Sequence, residues 1–281
     1  MGAPHGGSAA AGEGAGPPAP GSSARGSPAV GTLTVLGCDG SYPGPRGAAS
    51  GYLVEAGGAV LWLDAGPGTF ANLQAEIDPG RVDAVVLSHE HPDHWSDIDP
   101  FALWLREHRR LRPVPVYAPP GLRARAYFGD DPVLSWHEVE PSSRIAVRPA
   151  GGTGTGVRCS FAATDHGPPT LATRVEPVGP SGVALPALAY SADTGPDWSV
   201  EELGAGIGLL LCEATFTQGH EGEGRHLSGR QAGAMAAASC VERLVVTHRR
   251  PSIAADALAA EASEAFGGPV DQAALGRRFS W

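Results

Sequence analysis

From residue 31 onward, short apolar runs alternate with turn-forming residues, and the period of each run predicts an element. "TLTVLG" (32–37), "GYLVEA" (51–56) and "AVLWLD" (59–64) read as strands, with "EAGGAV" as the hairpin turn between the last two. "GTFANLQAEI" (68–77) predicts a helix and "RVDAVVLS" (81–88) a buried strand. "IDPFALWLREHRR" (98–110) predicts a helix, followed by a strand in "PVPVYAP" (113–119) and a helix in "PGLRARAYF" (120–128). Residues 132–176 are strand-rich, with "RIAVRP", "VRCSFAA" and "LATRVEP". Further strands are expected in "ALAYSAD" (187–193), "IGLLLCEA" (207–214) and "RLVVTH" (243–248), with helices in "SGRQAGAMAAASC" (228–240) and "SIAADALAAEASEAF" (252–266). The terminal "PVDQAALGRRFSW" is read as a final strand. One run of strands and helices is thus followed by a second, with no linker between them. Two sheets packed face to face with helices outside, an α/β architecture, fit that order.

Composition changes this picture at the N-terminus. Residues 1–29 are almost all small residues, Gly and Pro, too poor in apolar surface to offset their ordering entropy; a disordered tail is expected, with the folded domain at 30–281. The tail has no apolar core of a secretory signal, and no apolar run is long enough to span a bilayer, so a soluble, cytoplasmic protein is expected. The formal charge is −10, and all 20 basic residues are arginine. No basic run supplies the face that a nucleic-acid backbone demands, and "REHRRLR" (106–112) reads as a solvated helix end. Cys38, Cys159, Cys212 and Cys240 form no C-x-x-C pair and read as reduced, buried thiols.

The chemistry concentrates in "LSHEHPDHW" (87–95), where three of the ten histidines crowd one loop after a buried strand. A metal site, an acid/base cluster and a solvated loop are the candidates. In extended backbone the i, i+2 pair His89 and His91 points both rings to one side, while Asp93 and His94 can face a second ion. Imidazole and carboxylate are ordinary zinc ligands. Their surplus over one tetrahedron favours two metals, and manganese and iron suit the same donors. These histidines fall just past a predicted strand, where a rigid scaffold holds catalytic groups.

H-x-H-x-D-H after a buried strand resembles the signature of the metallo-β-lactamase fold, a four-layer αββα sandwich of hydrolases. The resemblance implies His89, His91 and His166 for one metal, Asp93, His94 and His248 for the other, and Asp193 in "AYSADTGP" as the shared carboxylate. "LLCEATF" with Glu213 and "RHLSGRQAG" with His226 resemble the ribonuclease Z-like branch, as does the opening "TVLGCDGSYPGPRGAASGYLVE". More closely, "LGCDGSYPG", "ASGYLV", "CEATF" and "HLSG" are similar to an actinobacterial group of cyclic-nucleotide phosphodiesterases. The implied activity is hydrolysis of a small phosphodiester, with 3′,5′-cAMP foremost, by a dinuclear site in which Asp93, Glu213 and His226 act beside the ions. The implied partner is that small substrate rather than a nucleic acid or a membrane. The branch often dimerises, so a homodimer is also in view.

Two other enzymatic readings compete. A ribonuclease Z-type RNA 3′-processing endonuclease shares the site, but such enzymes usually carry a long substrate-binding arm between the third histidine and the bridging aspartate; here His166 to Asp193 spans 27 positions. A β-lactamase-like amide or ester hydrolase fits the Glu213–His226 pair less well. A binding module that reuses the fold should have lost ligands, and none is lost. Asp64 in "LDAGPG" is read either as a carboxylate holding a ligand histidine or as a turn residue before Gly66. Arg249 and Arg250 are read either as a phosphate clamp or as a solvated turn. Glu90 is expected to point away from the metals, and His5, His108, His137 and His220 to lie on the surface.

Overall fold

A computed structural model of the chain describes residues 1–2, 29–109, 112–179 and 183–281, so the expected tail lies almost wholly outside the described residues. Strands β1 (Gly31–Gly37), β2 (Gly51–Ala56) and β3 (Ala59–Ala65) form an antiparallel meander. The β2–β3 turn places Gly57 and Gly58 at φ 56° and 81°, the left-handed pair that a two-residue hairpin demands. Helix α1 (Thr69–Glu76), β4 (Ala84–Val86), α2 (Ile98–Glu107), β5 (Val114–Ala118) and β6 (Leu134–Glu138) follow, with β4, β5 and β6 added in parallel to β3.

The second half repeats that plan. β7 (Arg144–Val147), β8 (Val157–Ala163), β9 (Leu171–Pro177) and β10 (Ala187–Tyr190) are antiparallel neighbours. β11 (Ile207–Glu213), β12 (Leu244–Thr247) and β13 (Val270–Gln272) then extend the sheet in parallel, with α3 (Gly229–Ala238) and α4 (Ala255–Phe266) between them. The terminal segment supplies two strands rather than one. β13 closes the second sheet, and β14 (Arg278–Ser280) crosses back to pair with β1 in the first. Each sheet has seven strands, and helices cover both outer faces. This is the α/β, four-layer αββα sandwich expected from the sequence.

Alternation along the strands builds the layers. In β3, Leu61 and Leu63 enter the core between the sheets, while Trp62 packs outward with Phe70 and Phe101 beneath α1 and α2. In α2 the buried residues Ile98, Phe101, Ala102 and Leu105 form one helical stripe. Burial of each such large side chain contributes about 1.5–3 kcal/mol. Helix α3 starts at a capping box between Ser228 and Gln231, and Gly233 lets it lie against Ala262 of α4 with no room for a Cβ.

Two expectations need correction. The helix over 120–128 is only a 3-10 turn at Leu122–Arg125, preceded by Gly121 at φ 90°. Leu122 is its one buried residue, too little apolar stripe to hold a longer helix. Cys38, Cys159 and Cys212 are buried and unpaired, but Cys240 is exposed, at φ 51° in the turn that ends α3. Among the described residues no helix is long and apolar enough to cross a membrane.

Candidate metal centre

The parallel pairing that each sheet adopts carries its chemistry to one rim. β10, β11 and β12 lie side by side and run the same way, so the residues just past or at their ends converge: Asp193, Glu213 and His248. β3 and β4 do the same in the first sheet, bringing Asp64 beside Ser88 and His89. Asp93 and His94 sit in a 3-10 turn, Pro92–His94. His166 follows β8, and His226 lies in the loop between β11 and α3.

Two sets of donors result, and a third, overlapping one joins His226 to Asp193 and His248. One ligand atom each from His89, His91, His166 and Asp193 lie within 4.8 Å of one another, and so do those from Asp93, His94 and His248. Asp193 faces both sets, one oxygen to each. Its Oδ2 is 3.6 Å from His89 Nε2 and 3.9 Å from His166 Nε2, while its Oδ1 is 3.3 Å from both His94 Nε2 and His248 Nε2. All seven sequence-selected ligand candidates are therefore brought together.

The outer shell decides which nitrogens face inward. Nδ1 of His94 donates to Asp64 (2.7 Å), Nδ1 of His166 to the Arg225 carbonyl (3.0 Å) and Nδ1 of His248 to the Thr215 hydroxyl (2.8 Å). Thr215 passes its own proton to Glu213 Oε2, so it can only accept from His248. Ser88 likewise donates to Asp64 Oδ2 and accepts from His89 Nδ1 at 3.0 Å. Nε2 of these four rings is thereby turned inward, where it can take a metal ion or a second proton.

Those nitrogens point at one another. His89 Nε2 stands 3.0 Å from His91 Nδ1, His166 Nε2 3.3 Å from the same atom, and His94 Nε2 3.2 Å from His248 Nε2. A ring proton can bridge such a contact in the metal-free chain, and a cation among the nitrogens would take its place. Donors about 2.0–2.1 Å from a tetrahedral zinc are roughly 3.3 Å apart, the spacing seen here. Asp193 Oδ1 is buried and has no hydrogen-bond partner, an orphan that a cation would satisfy. The donor clusters are able to bind metal ions.

Electrostatics agree. Burial pushes the His89 imidazole well below its usual value, helped by His94, keeping it neutral. For His94, burial acts downward but is outweighed by Asp193 and Asp64, which call for positive charge at that ring. Burial opposes ionisation of Asp193, yet the facing His248 and His94 hold it well below the carboxylate range.

Asp64 and Glu213 organise the rim. Asp64, fully buried, accepts from Ser88 N (2.7 Å), Ser88 Oγ (2.8 Å) and Tyr190 Oη (2.7 Å) as well as from His94. Of its two readings, the one that holds a histidine fits these contacts. Gly66 beyond it leaves no room for a Cβ against the Asp93 carbonyl. Glu213, equally buried, accepts His226 Nδ1 and Thr194 N through Oε1 and Thr215 and Leu227 through Oε2. One carboxylate thus fixes His226, His248 by way of Thr215, and the loop of Asp193. Asp64, Ala192 and His248 adopt φ values of 53°, 52° and 53°, strained for residues with a Cβ. Ser88, Tyr190, Thr194 and Thr215 were not selected from the sequence, and an ordinary hydroxyl or amide carries no signal there.

The remaining candidates separate. Arg249 is tied down by the carbonyl of Ile253 (2.6 Å) and by Asp39 (3.4 Å). Arg250 is exposed and lies over the Phe216 ring at 4.9 Å, next to His226. Glu90 pairs with Arg125 at 2.6 Å, away from the donor sets. His108 stacks on Trp104 and His137 on Tyr117, and His220 is exposed with Thr217 as its partner. His5 lies outside the described residues.

Comparison with known proteins places this geometry. Residues 60–249 match the model of the beta-lactamase superfamily domain. The chain is 35% identical over 267 residues to an uncharacterized protein of Mycobacterium leprae, covering 88% of this chain and 87% of that one. It is 30% identical over 269 residues to the ribonuclease Z of Mycobacterium marinum, covering 85% and 94%. The crystal structure of the metallo-β-lactamase fold protein YhfI from Bacillus subtilis superposes with a TM-score of 0.78 at 25% identity, over 89% of this chain and 99% of that one.

Proposed function

The chain belongs to the metallo-β-lactamase-fold superfamily and is a metallo-hydrolase of its ribonuclease Z-like branch; within it we propose a dinuclear-metal phosphodiesterase acting on a small phosphodiester, 3′,5′-cAMP foremost. The observation that carries this reading is Asp193 with one oxygen turned to each donor set. His89, His91 and His166 would hold one ion and Asp93, His94 and His248 the other, with Asp193 placed to serve both. Zinc suits the mixed imidazole and carboxylate donors. When bound, the two ions supply Lewis-acid polarisation of the phosphoryl oxygens and an acidified water.

The chain's own groups do the rest. Cleavage leaves an alkoxide that needs a proton. His226 keeps Nε2 free because Nδ1 is held 2.8 Å from Glu213. Burial opposes its protonation, but the Glu213 charge and hydrogen bond overcome this and raise it to about 9. At neutral pH His226 therefore holds the proton and stands beside the ligands, with ring centroids 5.0 Å from His166 and 5.4 Å from His248. Arg250, unlike Arg249, is free to meet a phosphoryl oxygen.

The likeness to a ribonuclease Z supports RNA 3′ processing as the second reading. The short His166–Asp193 connection and the charge of −10 weigh against it. Incubating zinc-loaded protein with 3′,5′-cAMP beside a precursor transfer RNA separates the two, with His89→Ala as control. Release of AMP by wild type alone, with the RNA intact, is the expected result. Cleaved RNA with untouched cAMP overturns it.

A further inference from the structure

A cavity of about 330 Å³ adjoins the donor sets on the His89–His166 side. The loops that carry those ligands build its inner wall. Glu90, between His89 and His91, lines it, as do Thr164 and Pro168, two positions either side of His166. Its outer wall comes from the ends of β5 and β6, the next strands along the same rim. The cavity is thus lined by sequence neighbours of three ligands rather than by the ligands themselves, and it is large enough for a ring system.

Its lining is chemically one-sided. Pro119, Pro120, Leu122, Val139, Pro169 and Leu171 present apolar faces. The two threonine hydroxyl protons are spent on backbone, Thr164 on the Asp193 carbonyl at 2.7 Å and Thr170 on that of Pro168 at 2.9 Å. What remains for a ligand are acceptors: the hydroxyl lone pairs, the Glu140 carboxylate and the Glu90 oxygen that Arg125 does not take. Among the described residues no arginine lines the cavity. A second phosphate is repelled there, whereas a flat heteroaromatic ring carrying N–H donors satisfies both the walls and the carboxylates.

Resting on the phosphodiesterase reading, we infer that this cavity binds the amino-bearing nucleobase of a substrate with a single phosphate. The apolar walls take the faces of the ring, and Glu140 and Glu90 accept from its edge. The same wall excludes a continuing nucleic-acid backbone, so the cavity sets the preference for mononucleotides over RNA.

Binding tests this apart from turnover. Titration calorimetry on the zinc-loaded full chain compares 5′-AMP with ribose 5-phosphate for the wild type, Ala163→Phe and Glu140→Gln. Ala163 is an exposed lining residue whose enlargement fills the cavity from its mouth, and Glu140 is exposed, so neither change strains the core. Wild type should bind AMP at least tenfold more tightly than ribose 5-phosphate. Ala163→Phe should abolish that advantage with ribose 5-phosphate unchanged, and Glu140→Gln should reduce it several-fold. Equal binding of the two ligands by wild type, or an advantage that survives Ala163→Phe, overturns the inference. Base-dependent binding without any hydrolysis of cAMP leaves the cavity standing and removes the phosphodiesterase reading alone.

Discussion

The two rims of the sandwich both gather charged residues, yet they are built differently. At the rim opposite the donor sets, Arg81, Arg109, Arg112 and His108 surround a larger cavity of about 650 Å³. Arg81 is half exposed and meets Glu55 at 3.2 Å, and Arg112 donates to the Ala150 carbonyl. Those groups keep their water, and exposed pairs of this kind are worth about 0–1 kcal/mol. At the metal rim His89 and His94 are fully buried, and Asp193 nearly so. There the donor atoms have no solvent to satisfy them, and a second layer of carboxylates and hydroxyls fixes each ring. Cavity size is a poor guide to chemistry; desolvated donors that lack partners are a better one.

The sharpest break of this contrast is Asp193→Asn. It should cost activity on the order of a thousandfold or more, the scale of losing a principal electrostatic contributor, and metal content measured by plasma mass spectrometry should fall. Exhaustive chelation should lower the Tm by roughly 5–10 °C, because ions that bind only the folded state stabilise it by mass action. An unchanged melting curve would mean that the buried nitrogens need no ions.

Asp64→Asn should be milder, since it touches no ion in the proposed arrangement and acts through His94 and, by way of Ser88, through His89. A tenfold to hundredfold weaker metal affinity is expected, read by competition with a chromogenic chelator. Glu213→Gln addresses the pH profile. A raised imidazole keeps its proton below the raised value and loses it as pH climbs, so wild-type kcat should fall above about pH 9. Without the Glu213 charge the fall should move toward the ordinary imidazole value of about 6.5. An unmoved basic limb would remove His226 from the acid role. Arg109→Ala and Arg112→Ala, at the other rim, should change stability by no more than about 0.5 kcal/mol and leave kcat/KM intact.

Residue order alone made much of this visible. Short apolar runs bounded by turns marked strands such as "AVLWLD", and one contiguous loop announced His89, His91, Asp93 and His94, because local hydropathy and ligand density survive in one dimension. His166, Asp193, Glu213, His226 and His248 could be picked out only through resemblance to a family. They are spread over 83 positions, and nothing in the spacing from 166 to 248 brings them together. The strand order does that: β8, reversed twice through β9, runs the same way as the parallel β10, β11 and β12. The tertiary structure alone chose Thr215 and Ser88 as relays, separated Arg250 from Arg249, and set a proline-walled cavity beside the ligands. Each of these depends on what packs against a residue, and a hydroxyl, an arginine or a proline looks the same in the sequence whether it meets water or a buried carboxylate.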